Sequence, residues 1–228
     1  MKLAPEGIPF IVAALVAALV LAVGARALQS WAAPLGPVLT GLAVVAGLFG
    51  VFCLWFFRDP APTLPADPRA IVSPAEGRVI EVVQQDEPTY LGGPSTRITI
   101  FLSVFNVHVQ RAPADGVVEH RSYKPGLYLV AWEPKASEAN EQASLGIRTP
   151  AGPLLVRQIA GLIARRILTD PSEGDRVERG ARIGLIRFGS RVDLFLPPDW
   201  PVAVEVGQKV RVGETVVARI PDGAEGAP

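Results

Sequence analysis

The chain has 228 residues, enough for one ordinary domain and something smaller. Its 22 basic and 22 acidic residues cancel and no basic run stands out, so neither a nucleic-acid partner nor an anionic-lipid patch is implied. One cysteine, Cys53, and two histidines, His108 and His120, exclude internal disulfides, cysteine metal sites and a multi-histidine metal centre.

Apolar residues gather near the start of the chain. Residues 8–28 (IPFIVAALVAALVLAVGARAL) and 38–57 (VLTGLAVVAGLFGVFCLWFF) each approach the length of a helix that crosses a hydrocarbon core of about 30 Å. The intervening QSWAAPLGP holds Pro34, Gly36 and Pro37, which favour a turn. Residues 1–58 are therefore expected to form a two-helix transmembrane hairpin. A secretory signal peptide is the competing reading of the first span, but it leaves the second unexplained. Lys2, Arg58 and Arg69 flank the outer ends against Arg26 at the turn, a bias that places the main domain on the cytoplasmic side of the cell (inner) membrane. Trp55, Phe56 and Phe57, followed by Arg58, read as an interfacial anchor.

Residues 59–70 contain the Pro-rich connector APTLPAD, and residues 71–221 read as a separate β domain. Short β-rich runs recur there between Gly and Pro signals: RVIEVV, TRITIFLSVFNVHV, GVVEHRSY, PLLVRQIAGLIARRIL, ARIGLIRF, VDLFLP, VAVEV and TVVARI. PKASEANEQAS is open to either a helical turn or a loop. Two echoes sharpen the fold. SPAEG at 73–77 is answered by PADG at 113–116, and GDRVERGARI at 174–183 by GQKVRVGETV at 207–216. The shared G-x-x-V-x-x-G-x-x-[IV] resembles the turn-and-strand unit of biotinyl and lipoyl domains, where glycine supplies a positive φ and valine packs inward. The expected fold is mainly β, a sandwich or barrel-sandwich hybrid of two related lipoyl-like halves behind the helical hairpin. Ordinary tight turns also explain the glycines.

A Gly-Ser pair between two strands, as in RFGSRVD at 187–193, is by itself a turn. The ordered set FFRDP (56–60), SPAEG (73–77), FLSVFNVHVQRAP (101–113), YKPG (123–126), ASEANE (136–141), QIAGLIARRI (158–167) and RFGSRVD closely resembles the short form of phosphatidylserine decarboxylase. That resemblance implies a pyruvoyl enzyme made by self-processing into chains 1–189 and 190–228. Ser190 attacks the carbonyl of Gly189, exchanging the peptide bond for an ester. Loss of the Ser190 α-proton then expels the carboxylate, and hydrolysis of the resulting dehydroalanine releases ammonia and leaves the pyruvoyl ketone. That ketone condenses with the amine of the lipid headgroup and draws electrons from the breaking carbon–carboxylate bond, with no metal required. The implied substrate is phosphatidylserine and the product phosphatidylethanolamine; archaetidylserine differs only far from the headgroup and stays open. The implied partners are the membrane lipid and the chain's own two fragments, with a higher oligomer possible.

His108 is the candidate base and proton donor, since an unperturbed imidazole titrates near 6.5. The resemblance implies a triad of serine, histidine and the acid of SPAEG, here Glu76. Many members hold a second histidine where this chain has Arg111, so His108 serves both steps or Arg111 holds a lipid phosphate or substrate carboxylate. Phe188 and Asn106 are further candidates for substrate contact; Asn106, in the same run as His108, also suits a turn cap. Asn140, Glu141, Arg165 and Arg166 are ambiguous, and His120 reads as a surface residue. The rival functions are a non-enzymatic lipoyl-like membrane adaptor, which would need a carrier lysine that Lys209 does not resemble, and a membrane serine hydrolase that would leave the chain uncut.

Overall fold

The computed structural model describes residues 2–28, 34–127, 140–161, 167–187 and 190–224. Contacts divide the chain into two units, Met1–Ala61 and Pro62–Pro228.

In the first unit, β1 (Lys2–Leu3) and a 3-10 turn (Pro5–Gly7) lead into α1 (Ile8–Leu28); α2 (Leu35–Phe56) then runs into β2 (Arg58–Asp59). Both helices are long and apolar enough to cross a membrane. The second starts before residue 38 because Pro37 falls within its first turn, where a missing N–H costs nothing. Small residues line the seam. A Cβ on Gly50 would meet Ala14 Cβ at 3.5 Å, and one on Gly36 would meet the Ala25 carbonyl at 3.7 Å. Such packing lets backbones approach without a water-driven hydrophobic force between them. Leu19, Val20, Val45 and Leu48 point outward and are exposed, a surface suited to lipid. β1 pairs antiparallel with β2, tying the two outer ends of the hairpin together. The expected aromatic anchor divides in two here. Trp55 is exposed beneath the Arg58 guanidinium, 4.2 Å from the ring centroid, whereas Phe56 and Phe57 are fully buried. Phe57 packs on Gly7 and stacks on Phe10, so it closes the hairpin base from inside.

The second unit is mainly β and built around a curled half-barrel sheet. In chain order it contains β3 (Ala70–Val72), β4 (Gly77–Glu87), β5 (Gly93–Leu102), β6 (Val109–Arg111), β7 (Gly116–Lys124), β8 (Gln142–Thr149), β9 (Gly152–Ala160), β10 (Ile167–Thr169), β11 (Arg176–Val177), β12 (Arg182–Ile186), β13 (Ser190–Leu196), β14 (Lys209–Val210) and β15 (Val216–Arg219). Eight strands form one sheet in the order β11-β7-β8-β9-β13-β5-β4-β14, and β10-β12-β6 form a smaller one. Alternation sends Val192, Leu194 and Leu196 of β13 to one face with Ile98, Ile100 and Leu102 of β5 and Val156 of β9. Ile183 and Ile186 of the small sheet belong to the same buried cluster.

The sequence echoes are structurally equivalent. β14 pairs with the start of β4 (Val210 opposite Gly77), and β11 pairs with the start of β7 (Val177 opposite Gly116). Val79 exchanges backbone hydrogen bonds with the 207–208 turn as Val118 does with the 174–175 turn. Gly207 and Gly174 both have φ of 93°, and a Cβ on Gly77 or Gly116 would collide with the carbonyl of Phe101 or Arg148. The eight-stranded sheet is therefore two matching half-sheets that meet between β9 and β13.

Three expected runs end differently. TRITIFLSVFNVHV breaks into β5 and β6 because Asn106 turns the chain between them. PLLVRQIAGLIARRIL divides into β9 and β10 around residues outside the described set. VAVEV is no strand: of its residues only Val202 forms an isolated bridge, to Ala218.

Candidate active site

Ser190 opens β13 and sits at the middle of the large sheet, opposite Leu102 of β5 and Ala160 of β9. It shares the apolar face with Val192, so its hydroxyl is carried into a dry interior. Ser190 is 0% exposed, and its Oγ has no hydrogen-bond partner among the described residues. A buried hydroxyl of this kind costs roughly 1–3 kcal/mol, which makes it a site to be explained by function. Gly189 and Phe188, expected at the cleavage point and in substrate contact, lie outside the described residues, as do Arg165 and Arg166.

β12 carries the chain toward this serine. Its last residue, Ile186, donates its N–H to the His108 carbonyl at 3.3 Å, just before β6. Four steps of chain separate Ile186 from Ser190, at most roughly 14 Å when extended, and His108 is the residue before β6 that this strand end hydrogen-bonds. The ring is fully buried, and its Nδ1 lies 2.9 Å from the Asn106 carbonyl. A carbonyl only accepts, so in the neutral ring the proton resides on Nδ1 and Nε2 is the basic nitrogen.

Asn106 is a loop organiser rather than a strand residue. Its Oδ1 accepts from the Ser103 N–H at 3.0 Å and the Ser103 hydroxyl at 2.7 Å, a local bond that competes with strand pairing. Its Nδ2 donates to Glu76 Oε1 at 3.3 Å, and the same oxygen accepts the Val107 N–H at 3.1 Å. Glu76 thus grips the segment whose carbonyl orients the imidazole. The matching residue of the second half, Asp115, is a methylene shorter and caps the Arg179 N–H of its own turn at 2.7 Å.

Arg111 lies at the other end of β6, opposite Arg182, roughly 10 Å of strand from His108. Its Nη1 donates to the Gly180 carbonyl at 2.8 Å and its Cδ packs beside Gly213, so it braces the two glycine turns. Asn140 and Glu141 flank the partner strand of Ser190: Asn140 Nδ2 donates to the Ala160 carbonyl at 2.7 Å, and the Glu141 carbonyl accepts the Ala160 N–H at 3.0 Å. His120 is half-buried and stacks on Tyr90. Among the described residues no group of three or more His, Cys, Asp or Glu is placed to hold a metal ion.

Two polar arrangements escape sequence reading. Beneath His108, Gln110 Nε2 donates to the His108 carbonyl at 2.7 Å, Gln158 Nε2 to Gln110 Oε1 at 2.9 Å, and Thr169 Oγ1 to Gln158 Oε1 at 2.8 Å. This chain of amides links the large sheet to the small one and fixes the backbone that carries the histidine. On the opposite face of β13, Arg191 forms a buried two-point pair with Asp193, at 2.7 and 3.0 Å, and reaches Thr99 Oγ1 at 3.2 Å. An arginine two residues before an aspartate in a strand signals a shared face, and here it marks this pair.

Among the described residues the Ser190 hydroxyl is buried without a partner, close in the chain to a strand end that hydrogen-bonds the His108 backbone, an arrangement that can supply a nucleophile and a base. The family model described as phosphatidylserine decarboxylase matches residues 49–218. Among curated relatives, the phosphatidylserine decarboxylase proenzyme of Salinibacter ruber is 56% identical over 189 residues, 82% of each chain. Those of Symbiobacterium thermophilum and Geobacter metallireducens are 48% and 44% identical over 220 residues, covering 96% of this chain and 96% and 97% of theirs. The chain belongs to the phosphatidylserine decarboxylase family, and it is a decarboxylase, a carbon–carbon lyase.

Proposed function

We propose that this protein decarboxylates phosphatidylserine to phosphatidylethanolamine after cutting itself between Gly189 and Ser190 and converting Ser190 into a pyruvoyl group. The observation that carries the reading is the Ser190 hydroxyl, buried without a partner among the described residues at the head of the central strand, in a chain whose relatives are described as proenzymes.

The residues fit these demands. The Ser190 Oγ, with no partner among the described residues, gives up its proton to a nearby base as it attacks. His108 Nε2 is that base; Nδ1, held by the Asn106 carbonyl, keeps the ring in the correct tautomer. Glu76 acts through the loop, fixing Asn106 and Val107 and setting a negative charge near the imidazolium that forms. The same carboxylate-to-loop-to-imidazole path leaves His108 able to return a proton during decarboxylation. The pyruvoyl group supplies the electron sink that the ordinary side chains lack. Burial of Ser190 and His108 keeps water from the reacting carbon. The substrate is a membrane lipid, which suits a chain with two spanning-length apolar helices, and the charge bias around them favours a catalytic unit on the cytoplasmic side.

Intact-mass measurement of the purified protein under denaturing conditions tests the reading. Two fragments meeting at 189/190 are expected, the smaller resisting Edman degradation and reacting with a carbonyl reagent. A single full-length chain with a free serine overturns it.

A further inference from the structure

We infer that Arg78, Lys209 and Arg211 form a binding pocket for the phosphodiester of the substrate headgroup. The inference rests on the decarboxylase reading and names how the lipid is held beside the site.

A cavity of about 680 Å³ opens beside the loop that positions His108, with Glu76 and Asn106 in its wall and the three cations around it. The ladder sets Lys209 directly opposite Arg78, so both side chains leave the same face of the sheet. Like charges in that register repel and destabilise the pair unless an anion comes between them. Both residues are exposed, and among the described residues neither has a carboxylate partner. Arg78 spends one donor on the Gly207 carbonyl at 2.8 Å and keeps the rest of its fork. Arg211 meets Glu214 at 3.6 Å with its own side chain 78% exposed, a pair of small worth in water. Glu76 is the acid of the wall, and its Oε1 is engaged by the Asn106 side chain and the Val107 N–H.

The duplicated half provides an internal control. Its equivalent cavity, about 750 Å³, has the same backbone. There Arg176 stands for Lys209, but Val117 takes the place of Arg78, Glu178 that of Arg211 and Asp115 that of Glu76. Arg148, opposite Val117, is paired with Glu119 at 3.0 Å. The fold therefore does not require cations at 78 and 211. The control cavity is lined by arginines of its own, but Arg148 is paired with Glu119 and Arg179 spends its fork on the Pro65, Asp67 and Ala70 carbonyls, whereas Asp115 and Glu178 bring carboxylates to the wall.

The cavity also lies at a suitable distance from the serine. Leu102 pairs with Ser190, and the next residue, Ser103, lines the cavity. Arg78 lies opposite Phe101, which lies opposite Arg191, so its side chain leaves the Arg191 face, two strand spacings or roughly 10 Å from the residue after Ser190, and the headgroup reaches Ser190 around the strand end at Ser103. In a phosphoserine headgroup only a few bonds separate phosphorus from the reacting carbon. A phosphate held by a guanidinium and an ammonium at this edge keeps the amino acid end near Ser190. Phe105, 67% exposed at the cavity mouth, offers an apolar surface to the lipid beyond the headgroup.

The test uses the purified, self-processed protein and two substrates, phosphatidylserine in mixed micelles and soluble glycerophosphoserine, which keeps the phosphodiester but lacks acyl chains. In Lys209→Gln/Arg211→Gln, and in Arg78→Val, which copies Val117, self-cleavage is expected to reach completion. KM is expected to rise roughly tenfold or more for both substrates, with kcat retained, as loss of charge-assisted hydrogen bonds requires. Lys209→Arg restores the wild-type KM, and the rise of KM with salt seen in the wild type flattens in the double variant. An unchanged KM for glycerophosphoserine overturns the inference; if vesicle binding then falls equally for phosphatidylserine and phosphatidylglycerol, the cations are a general membrane contact instead. A wild-type chain that stays uncut overturns the decarboxylase reading itself, whatever the variants do.

Discussion

The two faces of β13 are made by alternate residues of one strand and differ in how they treat polar atoms. On one face Ser190 precedes Val192, Leu194 and Leu196, and its hydroxyl is left in the apolar core without a partner among the described residues. On the other, Arg191 clasps Asp193 and Thr99, and the Arg157 guanidinium lies 4.7 Å above Phe195 while its Nη2 reaches Glu87 at 2.8 Å. Charge can be buried on the second face because a two-point fork replaces the lost water. The first face keeps an oxygen without a partner among the described residues, although a neutral hydroxyl would be easier to satisfy. Among the described residues the fold thus solves the harder burial problem and leaves the easier one open, at the atom proposed as the nucleophile.

Removing that atom has the largest expected effect. Ser190→Ala should fold and remain a single chain of 24.2 kDa with no fragments by mass; cleavage in this variant would dissociate the chemistry from the unpartnered oxygen. His108→Ala should slow self-cleavage by roughly 100- to 10,000-fold, the usual worth of a positioned base, read from the fragment ratio over time after synthesis. On the opposite face Asp193→Asn keeps the shape but leaves Arg191 buried without its counter-charge. A loss of about 3–5 kcal/mol is expected in urea denaturation of an uncut background such as Ser190→Ala. A near-neutral result would mean that the two faces differ less than their geometry indicates.

The smallest effect concerns pH. Burial pushes the Glu87 carboxyl up, but the Thr89 hydroxyl, the Tyr90 and Leu91 N–H groups and Arg157 together hold it below its ordinary value of 4.5. A carboxylate depressed in the folded state stabilises above its unfolded value, and that contribution is lost as pH falls through the folded one. The advantage of the wild type over Glu87→Gln should be about 1.5–3 kcal/mol at neutral pH, steady down to about pH 5, and then shrink in acid. Denaturation midpoints of both proteins across pH 3–7 check the sign.

The hairpin was legible because composition alone sets an apolar helix of spanning length; only the inward turn of Phe57 depended on Gly7 leaving room for a ring. The halves were legible from glycine spacing, since a positive φ and a missing Cβ restrict the residue type directly. Ser190 and His108 were singled out through the order of surrounding motifs, and the structure buries both side chains. The contact between Glu76 and Asn106 was not legible, because it depends on a chain reversal at Ser103 that period-two alternation continues straight through. The bracing contact of Arg111 was not legible either, because it depends on the β6 register that sets the side chain against the glycine turns. The zero net charge concealed Arg78 and Lys209 as neighbours, because a ladder joins positions far apart in the chain that no composition count connects.

The pairing of β13 on both edges changes what a cut before Ser190 would do to the molecule. The seven residues of that strand are laced to β5 and β9, and β14 and β15 are paired with β4 and β3. The released segment would therefore stay in place as a second subunit, and unfolding would become a dissociation governed by mass action. The thermal midpoint of the processed protein would rise with its concentration, while that of Ser190→Ala would not. Once heated apart at low concentration, the pieces would have to meet again to refold, so maturation exchanges a self-contained fold for one that depends on its own abundance.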